Sequence, residues 1–567
     1  MRKQDLRFSE DKDIKVKLKI DCFDRDIHGT LKLRDKKLPK LEFDSLSGIG
    51  IGAIHLTESE KNLITCQSEM NTYILLRNEI LADDIWPRHL IHGNSKEDIY
   101  GVEILISGLS EWIDQETYFD ISETKIKKDR PKPSFNEKIE INGERYQIRS
   151  NYNCLIEKKD NRDFLVSETT TVSLVNSERA IELEEAENLA YRVKSFFSLL
   201  LAAPLSIESA WLLNEDTKKK KPFYFSTPGD NPAPYEKTIE CLINPVRILK
   251  DIGWKSLFDN YFSSEKKEVF ENIWVRLPYL LSYPGTWDYE ILGYVSTLDS
   301  YCNEFSSKNG KKLGKAQYKR LKQDLVSVVD KYSVELGEDF KEVFNSFKTG
   351  ISGMRNTNMP TFREKYDFMI EKVDQDIRQI VAFSPTEFSV IKKIRDSAAH
   401  GLPIETRDGR DISYEFGLKD KLIVLLFYLV YRDFGISPVE YAKSLKYTFS
   451  KFVRNSGIDC TKRDKLAGTV PFWNVDEVSF NLAKNSKRFY VGVEFDSSVQ
   501  QFKFSSSVTS ECQTWLSHRE PENRNLIEYI KKKLFLESDV DIEYVNQVYL
   551  VYGEESIELS AVCKVSY

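Results

Sequence analysis

The sequence predicts a multidomain α+β protein with a β-rich front, an all-helical bundle and a small α+β region at the end. Three observations predict it. Apolar residues alternate with a period of two over residues 1–235, take up helical spacing over 236–455, and return to strand-like runs within 456–567. A chain of 567 residues suits such a division, because single cores rarely grow past about 250–300 residues. With 12% aromatic and 41% hydrophobic residues, the chain is rich enough in apolar surface to fold.

In the front region Ile14, Val16, Leu18 and Ile20 alternate with Lys15, Lys17 and Lys19, which buries one face of a strand. Around Asn142-Gly143, Ile139 and Ile141 on one side and Tyr146 and Ile148 on the other predict a hairpin. Asn-Gly accepts the positive φ angles of a type I′ turn. The spacing then predicts a helix over Leu183–Ala203, with Leu189, Val193, Phe196, Phe197 and Leu200 on one side and Pro204 ending it. Asp216–Pro234, rich in Lys, Pro and Gly, reads as a linker.

The middle region reads as helices over Val269–Tyr283, Trp287–Phe305, Lys315–Tyr332, Phe340–Ile351, Phe362–Phe383, Pro385–Ala399, Leu418–Phe434 and Pro438–Phe449. Two of them open with a capping box, Ser384-Pro385-Thr386-Glu387 and Ser437-Pro438-Val439-Glu440. Many helices on short loops predict a bundle. In the final region Phe489–Phe495, Gln501–Ser505, Asp541–Tyr552 and Ser556–Val565 read as strands, and Asn523–Leu534 as a helix.

The formal charge of −7 excludes a globally basic nucleic-acid coat, though not a local basic site. The charged start MRKQDLRFSEDKD has no apolar core, so no signal peptide is expected. Leu422–Tyr431 is about half the roughly 20 residues that span a bilayer, and reads as a buried helix. The eight cysteines are scattered without a CxxC pair, which suits a reducing cytoplasm. His89 and His92 form the one close histidine pair, with no cysteine at zinc-finger spacing. The expectation is a cytoplasmic protein with no membrane segment, metal or cofactor.

One constellation carries chemistry. Arg395-Asp396-Ser397-Ala398-Ala399-His400 lies where the Ser384-capped helix must stop, since Gly401 supplies a left-handed cap and Pro403 cannot continue it. Imidazole can remove a proton from a ribose 2′-hydroxyl or protonate a leaving 5′-oxygen. Arginine offers a permanent forked charge to the phosphate, and Asp396 could orient either partner. Acid and base together then need two copies of His400, hence a dimer. Against this stands a plain reading. Ideal phase separates Arg395 and His400 by about 140°, Arg395 pairs with a neighbouring carboxylate, and His400 answers the helix dipole.

Candidate RNA contacts are Lys392 and Lys393, one turn before Arg395, and Lys311, Lys312, Lys315, Lys319 and Arg320. The last five belong to a run from Lys308 to Lys322 without an acidic residue. The alternative for that run is a solvated loop and helix start. Arg355 and Arg363, which flank Pro360, are weaker candidates.

The Arg-polar-x-x-x-His pattern of Arg395, Asp396 and His400 in a helical bundle resembles the HEPN superfamily of ribonucleases. Gly29-Thr30-Leu31, Leu63-Ile64-Thr65-Cys66 and Gly101-Val102 through Ser107-Gly108-Leu109-Ser110-Glu111-Trp112 resemble the N-terminal domain of ApeA-type anti-phage HEPN proteins. The resemblance spans roughly residues 5–445. It implies a metal-independent endoribonuclease of abortive infection, dimeric or larger through its HEPN domain, that cleaves host RNA, transfer RNA among the candidates. Products would be 2′,3′-cyclic phosphate and 5′-hydroxyl ends. Carried over, His400 is the general acid/base, Arg395 stabilises phosphate and Asp396 supports them, while the front region senses a phage-derived trigger. The alternative is a non-catalytic HEPN module that binds a nucleotide or a partner. Residues 456–567 match no pattern of known role.

Overall fold

The structure, a computed structural model, describes residues 8, 10–19, 26–34, 37–44, 56–81, 84–93, 98–113, 119–122, 125–128, 134–158, 164–215, 220–227, 249, 251–281, 285–305, 313–356, 360–401, 412–486, 488–517, 525–536 and 540–566. It is a multidomain α+β protein, as the sequence predicts.

The front begins with six antiparallel strands: β1 (Lys12–Leu18), β2 (Ile27–Leu33), β3 (Lys40–Phe43), β4 (Leu63–Gln67), β5 (Thr72–Leu81) and β6 (Asp84–His92). Their order is β6-β3-β2-β1-β4-β5, and β5 pairs back onto β6, which closes a barrel and leaves no free edge there. The period of two holds in β1, where Val16 and Leu18 are buried and Lys15 and Lys17 face water.

The sheet runs on from β6 through β7 (Gly101–Ile106), β10 (Asn136–Ile141), β11 (Glu144–Lys158), β12 (Phe164–Asn176), β13 (Ile207–Leu213) and β14 (Lys220–Phe225). The order is β6-β14-β13-β7-β12-β11-β10. β8 (Phe119–Ser122) and β9 (Lys125–Lys128) pair only with each other. The hairpin turns at Asn142 (φ 52°) and Gly143 (φ 85°), and buries Ile139, Ile141, Tyr146 and Ile148.

The expected linker over Asp216–Pro234 is corrected in its middle. Lys220–Phe225 is a strand inside the sheet, because the Phe223-Tyr224-Phe225 run is fully buried between β13 and β6. Lys220 reaches the buried Glu103 of β7 at 2.5 Å.

Helix α3 (Leu183–Leu201) lies on this sheet and stops where Ala202 turns left-handed (φ 54°). Short helices α1 (Glu58–Asn62) and α2 (Leu109–Ile113) precede it. Beyond it come α4 (Trp254–Phe262), α5 (Arg276–Leu281), α6 (Trp287–Glu304), α7 (Lys315–Leu336), α8 (Lys341–Gly353), α9 (Phe362–Ile370), α10 (Gln375–Val381), α11 (Pro385–Ala399), α12 (Ile412–Phe434) and α13 (Pro438–Tyr447).

Two expected helices are broken. Phe362–Phe383 splits because the Asp374 carboxylate accepts from the N–H groups of Asp376 and Ile377 and starts a new helix there. Val269–Tyr283 contains a π-helical turn over Phe270–Trp274 before α5.

At the centre of the bundle, Leu422–Tyr431 of α12 is buried on every face. One continuous apolar core runs from the barrel through α3 into the bundle, with Phe196 of α3 touching Phe258 of α4 and Phe434 of α12 at ring distances of 4.8 and 5.4 Å.

The end of the chain holds α14 (Lys451–Asn455), α15 (Cys460–Ala467), α16 (Glu477–Asn485), α17 (Ser506–Ser517) and α18 (Leu526–Lys533). They accompany β15 (Phe472–Asn474), β16 (Phe489–Asp496), β17 (Gln501–Ser505), β18 (Asp541–Tyr552) and β19 (Glu555–Ser566). The mixed sheet, in the order β15-β18-β19-β16-β17, has its own apolar cores.

Candidate active site

The candidate residues lie at the C-terminal end of α11, and the helix is fixed at its other end first. Ser384 accepts from the N–H of Glu387, and the Glu387 carboxylate accepts from the N–H of Ser384 at 2.7 Å. The same carboxylate takes Lys421 of α12 at 3.0 and 3.1 Å, so one side chain caps α11 and ties it to the central helix. Phe388, Ile391, Ile394 and Ala398 form the buried stripe of α11, which packs on α6 and α12. That stripe sets the outward direction of the residues between.

Lys392, Lys393 and His400 are exposed, and Arg395, Asp396 and Ser397 are half-buried. His400 is the capping residue: its N–H donates to the carbonyls of Asp396 and Ser397, and Gly401 follows at φ +64°. The chain stops there as Gly401 predicts.

Arg395 is held by two different surfaces. Its Nε is 2.9 Å from Asp396 Oδ1, a charge contact at an angle that makes no hydrogen bond, so this buried N–H has no acceptor among the described residues. The guanidinium lies 5.5 Å from the centre of the Phe362 ring at the start of α9. Phe362 packs on Phe388 with ring centres 5.0 Å apart, and Arg363 covers the other ring at 4.8 Å. Arg363 and Arg395, far apart in sequence, thus flank one aromatic pair. Stacked this way, a guanidinium keeps its fork of N–H groups available for a phosphate. Asp367 already engages Arg363 at 2.7 Å.

Asp396 therefore faces Arg395 rather than His400. No hydrogen bond or ion pair among the described residues joins the side chains of Arg395 and His400 within one copy.

The other candidates are scattered. Lys311 and Lys312 lie outside the described residues. Lys315, Lys319 and Arg320 sit on α7, which packs on α8, while Lys392 and Lys393 share α11 with Arg395. Arg355 lies 3.5 Å from Glu364. His89 and His92 point to different partners, Glu187 and Asn71, at 2.8 and 2.9 Å.

Phe362 is the residue the sequence reading missed. Its signal is the Thr361-x-x-Glu364 capping box that opens α9 and places Phe362 and Arg363 at the helix start.

A separate cavity of about 700 Å3 lies where the front meets the bundle, lined by Glu144, Arg179, Glu185, Arg192, Tyr261 and Glu271 among others. Arg179 bridges Glu144 and Glu185 and holds the Glu144 carboxyl below the usual carboxylate range.

Residues 5–253 match the family model described as ApeA N-terminal domain 1. The match takes in the barrel, the extended sheet and α3, less than half of the chain, and supports an ApeA-type anti-phage protein. The Gly29, Leu63 and Gly101 segments lie within it on β2, β4 and β7. Both glycines are steric necessities, since a Cβ on Gly29 would strike the Glu42 carbonyl and one on Gly101 the Leu174 carbonyl. No curated protein and no solved structure matches the chain. Among the described residues, no helix is long and apolar enough to cross a membrane.

Proposed function

We propose that the chain is a metal-independent endoribonuclease of the HEPN type acting in anti-phage defence. The observation that carries this reading is the placement of Arg395 and His400 on the last two turns of one helix, behind a front region that matches ApeA N-terminal domain 1. The imidazole of one His400 takes the proton of a ribose 2′-hydroxyl, and the freed oxygen attacks the adjacent phosphorus. His400 of a second copy gives a proton to the departing 5′-oxygen, which leaves 2′,3′-cyclic phosphate and 5′-hydroxyl ends. Arg395 neutralises charge that builds on the phosphate, with Asp396 positioning it. Lys392 and Lys393 add positive potential along the approach. The substrate is host RNA, with transfer RNA among the candidates. The front region receives the phage-derived trigger.

Sequencing of RNA ends from cells expressing wild type or His400→Ala tests this. Cyclic-phosphate ends in the wild type alone, persisting in purified protein with a chelator, are expected. Full cleavage by His400→Ala would sink the mechanism. A second reading, a non-catalytic HEPN module that binds a nucleotide or a partner, draws on the engagement of Arg395 by Asp396 and Phe362 within one copy. Saturable RNA binding without turnover in the wild type would favour it.

A further inference from the structure

The cavity between the front and the bundle encloses about 700 Å3 and takes its walls from both. The turn between β10 and β11 and one face of α3 form the front wall. Tyr261 of α4, the π-helical turn and Val275 close it from the bundle side. Volumes of about 300–1,000 Å3 at such junctions suit a small ligand.

Arg192 is the residue that points to one. It lines the cavity from α3, with Asn188 one turn before it and Ser195 one turn after on the same face. Its side chain is only 15% exposed, and its guanidinium lies 4.9 Å from the centre of the Phe262 ring. The Arg192 Nε is buried with no acceptor among the described residues. Glu271 stands 3.4 Å from that Nε, at an angle that makes no hydrogen bond. A stacked guanidinium with an unused N–H edge is a receptor for a planar carboxylate, which takes two parallel bonds. Glu271, 39% exposed, is free to turn to water and give way.

The other end of the cavity is acidic. Three carboxylates, Glu144, Glu182 and Glu185, stand there with one cation, Arg179, which meets Glu144 at 2.7 Å and Glu185 at 3.0 Å. Over the whole described lining, five glutamates outnumber three basic residues. That surplus repels a dianionic phosphate and attracts a ligand that brings a cation of its own. Arg192 follows Glu185 by seven residues and Glu182 by ten, so the two ends lie about 10–15 Å apart along α3. An extended peptide of three or four residues, at about 3.3 Å each, covers that distance. Leu189, Phe270 and Val275 offer apolar surface to the side chains between. We propose that the cavity binds a short peptide by its two charged ends, the C-terminal carboxylate on Arg192 and the ammonium end among Glu144, Glu182 and Glu185. Because its walls come from both regions, the bound peptide ties front to bundle. The inference stands on the cavity and not on the nuclease reading.

Calorimetric titration and thermal unfolding of the full chain, without RNA, read the result. The probe is the tetrapeptide Lys-Ala-Val-Leu with free ends. It is expected to bind once per chain with a Kd below about 1 mM, and to raise the melting temperature as its concentration rises. Its C-terminal amide should bind about tenfold more weakly or worse, and so should Glu-Ala-Val-Leu. Arg192→Gln should erase the preference for acid over amide, which a loss of packing alone would not do. Should that variant fail to fold, Glu271→Gln keeps the test, since it removes the carboxylate that competes for Arg192 and should tighten binding about threefold or more. ATP is the probe for a phosphate ligand. No saturable binding of the peptide below about 1 mM, equal binding of acid and amide, an unchanged preference in Arg192→Gln, no gain in Glu271→Gln, or tighter binding of ATP would each overturn the proposal. RNA cleavage is scored separately, so an active nuclease that binds no peptide and an inactive chain that binds it are distinct outcomes.

Discussion

Helices α12 and α7 differ by one residue in length, 23 against 22, and in almost nothing else that helix propensity measures. One is buried round its whole circumference from Leu422 to Tyr431; the other buries no residue. The difference lies in how apolar residues are spread around the axis. Those of α12 cover every side, so it can only be a core. Those of α7 form two narrow ribbons between lysines, glutamines and serines, which suffices for a partner helix on each ribbon and no more. The first ribbon has its partner in α8. The second is exposed.

The sharpest way to break this contrast is at matched leucines. Leu426→Ala in α12 should cost about 2–5 kcal/mol in denaturant unfolding, whereas Leu321→Ala in α7 should stay within about 0.5 kcal/mol when measured at nanomolar concentration. Equal losses would mean that α7 is covered.

Next comes Asp420 of α12, whose carboxyl burial pushes up to about 6. The folded chain keeps this proton between about pH 4 and 6 while the unfolded chain releases it, so stability falls as the pH rises through that window and stays lower above it. Asp420→Asn should therefore raise stability by up to about 3 kcal/mol at pH 7, with the gain vanishing below pH 4. A gain that does not depend on pH would refute the cause.

Asp433, near the end of the same helix, accepts from Trp274 Nε1 at 2.7 Å and from the Tyr301 hydroxyl at 3.1 Å. Asp433→Ala strands both donors and should cost about 1–3 kcal/mol in the same assay.

The smallest effect on stability is expected at α11. His400→Ala, at an exposed cap, should move stability by less than about 0.5 kcal/mol while lowering cleavage by about 10²–10⁴. A large loss of stability instead would favour a purely structural His400.

Most of the fold is legible where one physical signal dominates. The Asn142-Gly143 turn, the Ser384 and Ser437 caps and the all-apolar Leu422–Tyr431 run each name their element, and the structure places them there. Signals fail where two compete. Asp216–Pro234 reads as a linker, yet the buried aromatics Phe223, Tyr224 and Phe225 pull Lys220 into a sheet, where buried Glu103 supplies the countercharge. Asp374 stops a helix whose apolar spacing runs on through it. Helices α15, α16 and α17 are hard to read because each is short and carries few apolar residues, so packing decides them: α15 lies on α10 and α13, and α16 and α17 lie on the terminal sheet.

At the candidate site, Arg395 and His400 are visible in the sequence as a pair. The Phe362–Phe388 platform beneath Arg395 is not, because it is assembled from two helices whose nearness only the bundle creates.

Trp254 and Phe258, the residues just past the matched front, plug that front from outside. Trp254 packs on Phe135 at 4.8 Å, and Phe258 packs on Phe135 and Phe196 at 5.2 and 4.8 Å. Tyr431 of α12 adds a hydrogen bond to the Leu200 carbonyl at the end of α3. A truncation after residue 253 would thus uncork an aromatic well instead of freeing a module. Front and bundle should melt as a single cooperative unit. Any signal from the front must then travel as a shift of packed helices along α3 and α12 towards α11, not as the swing of a hinged domain.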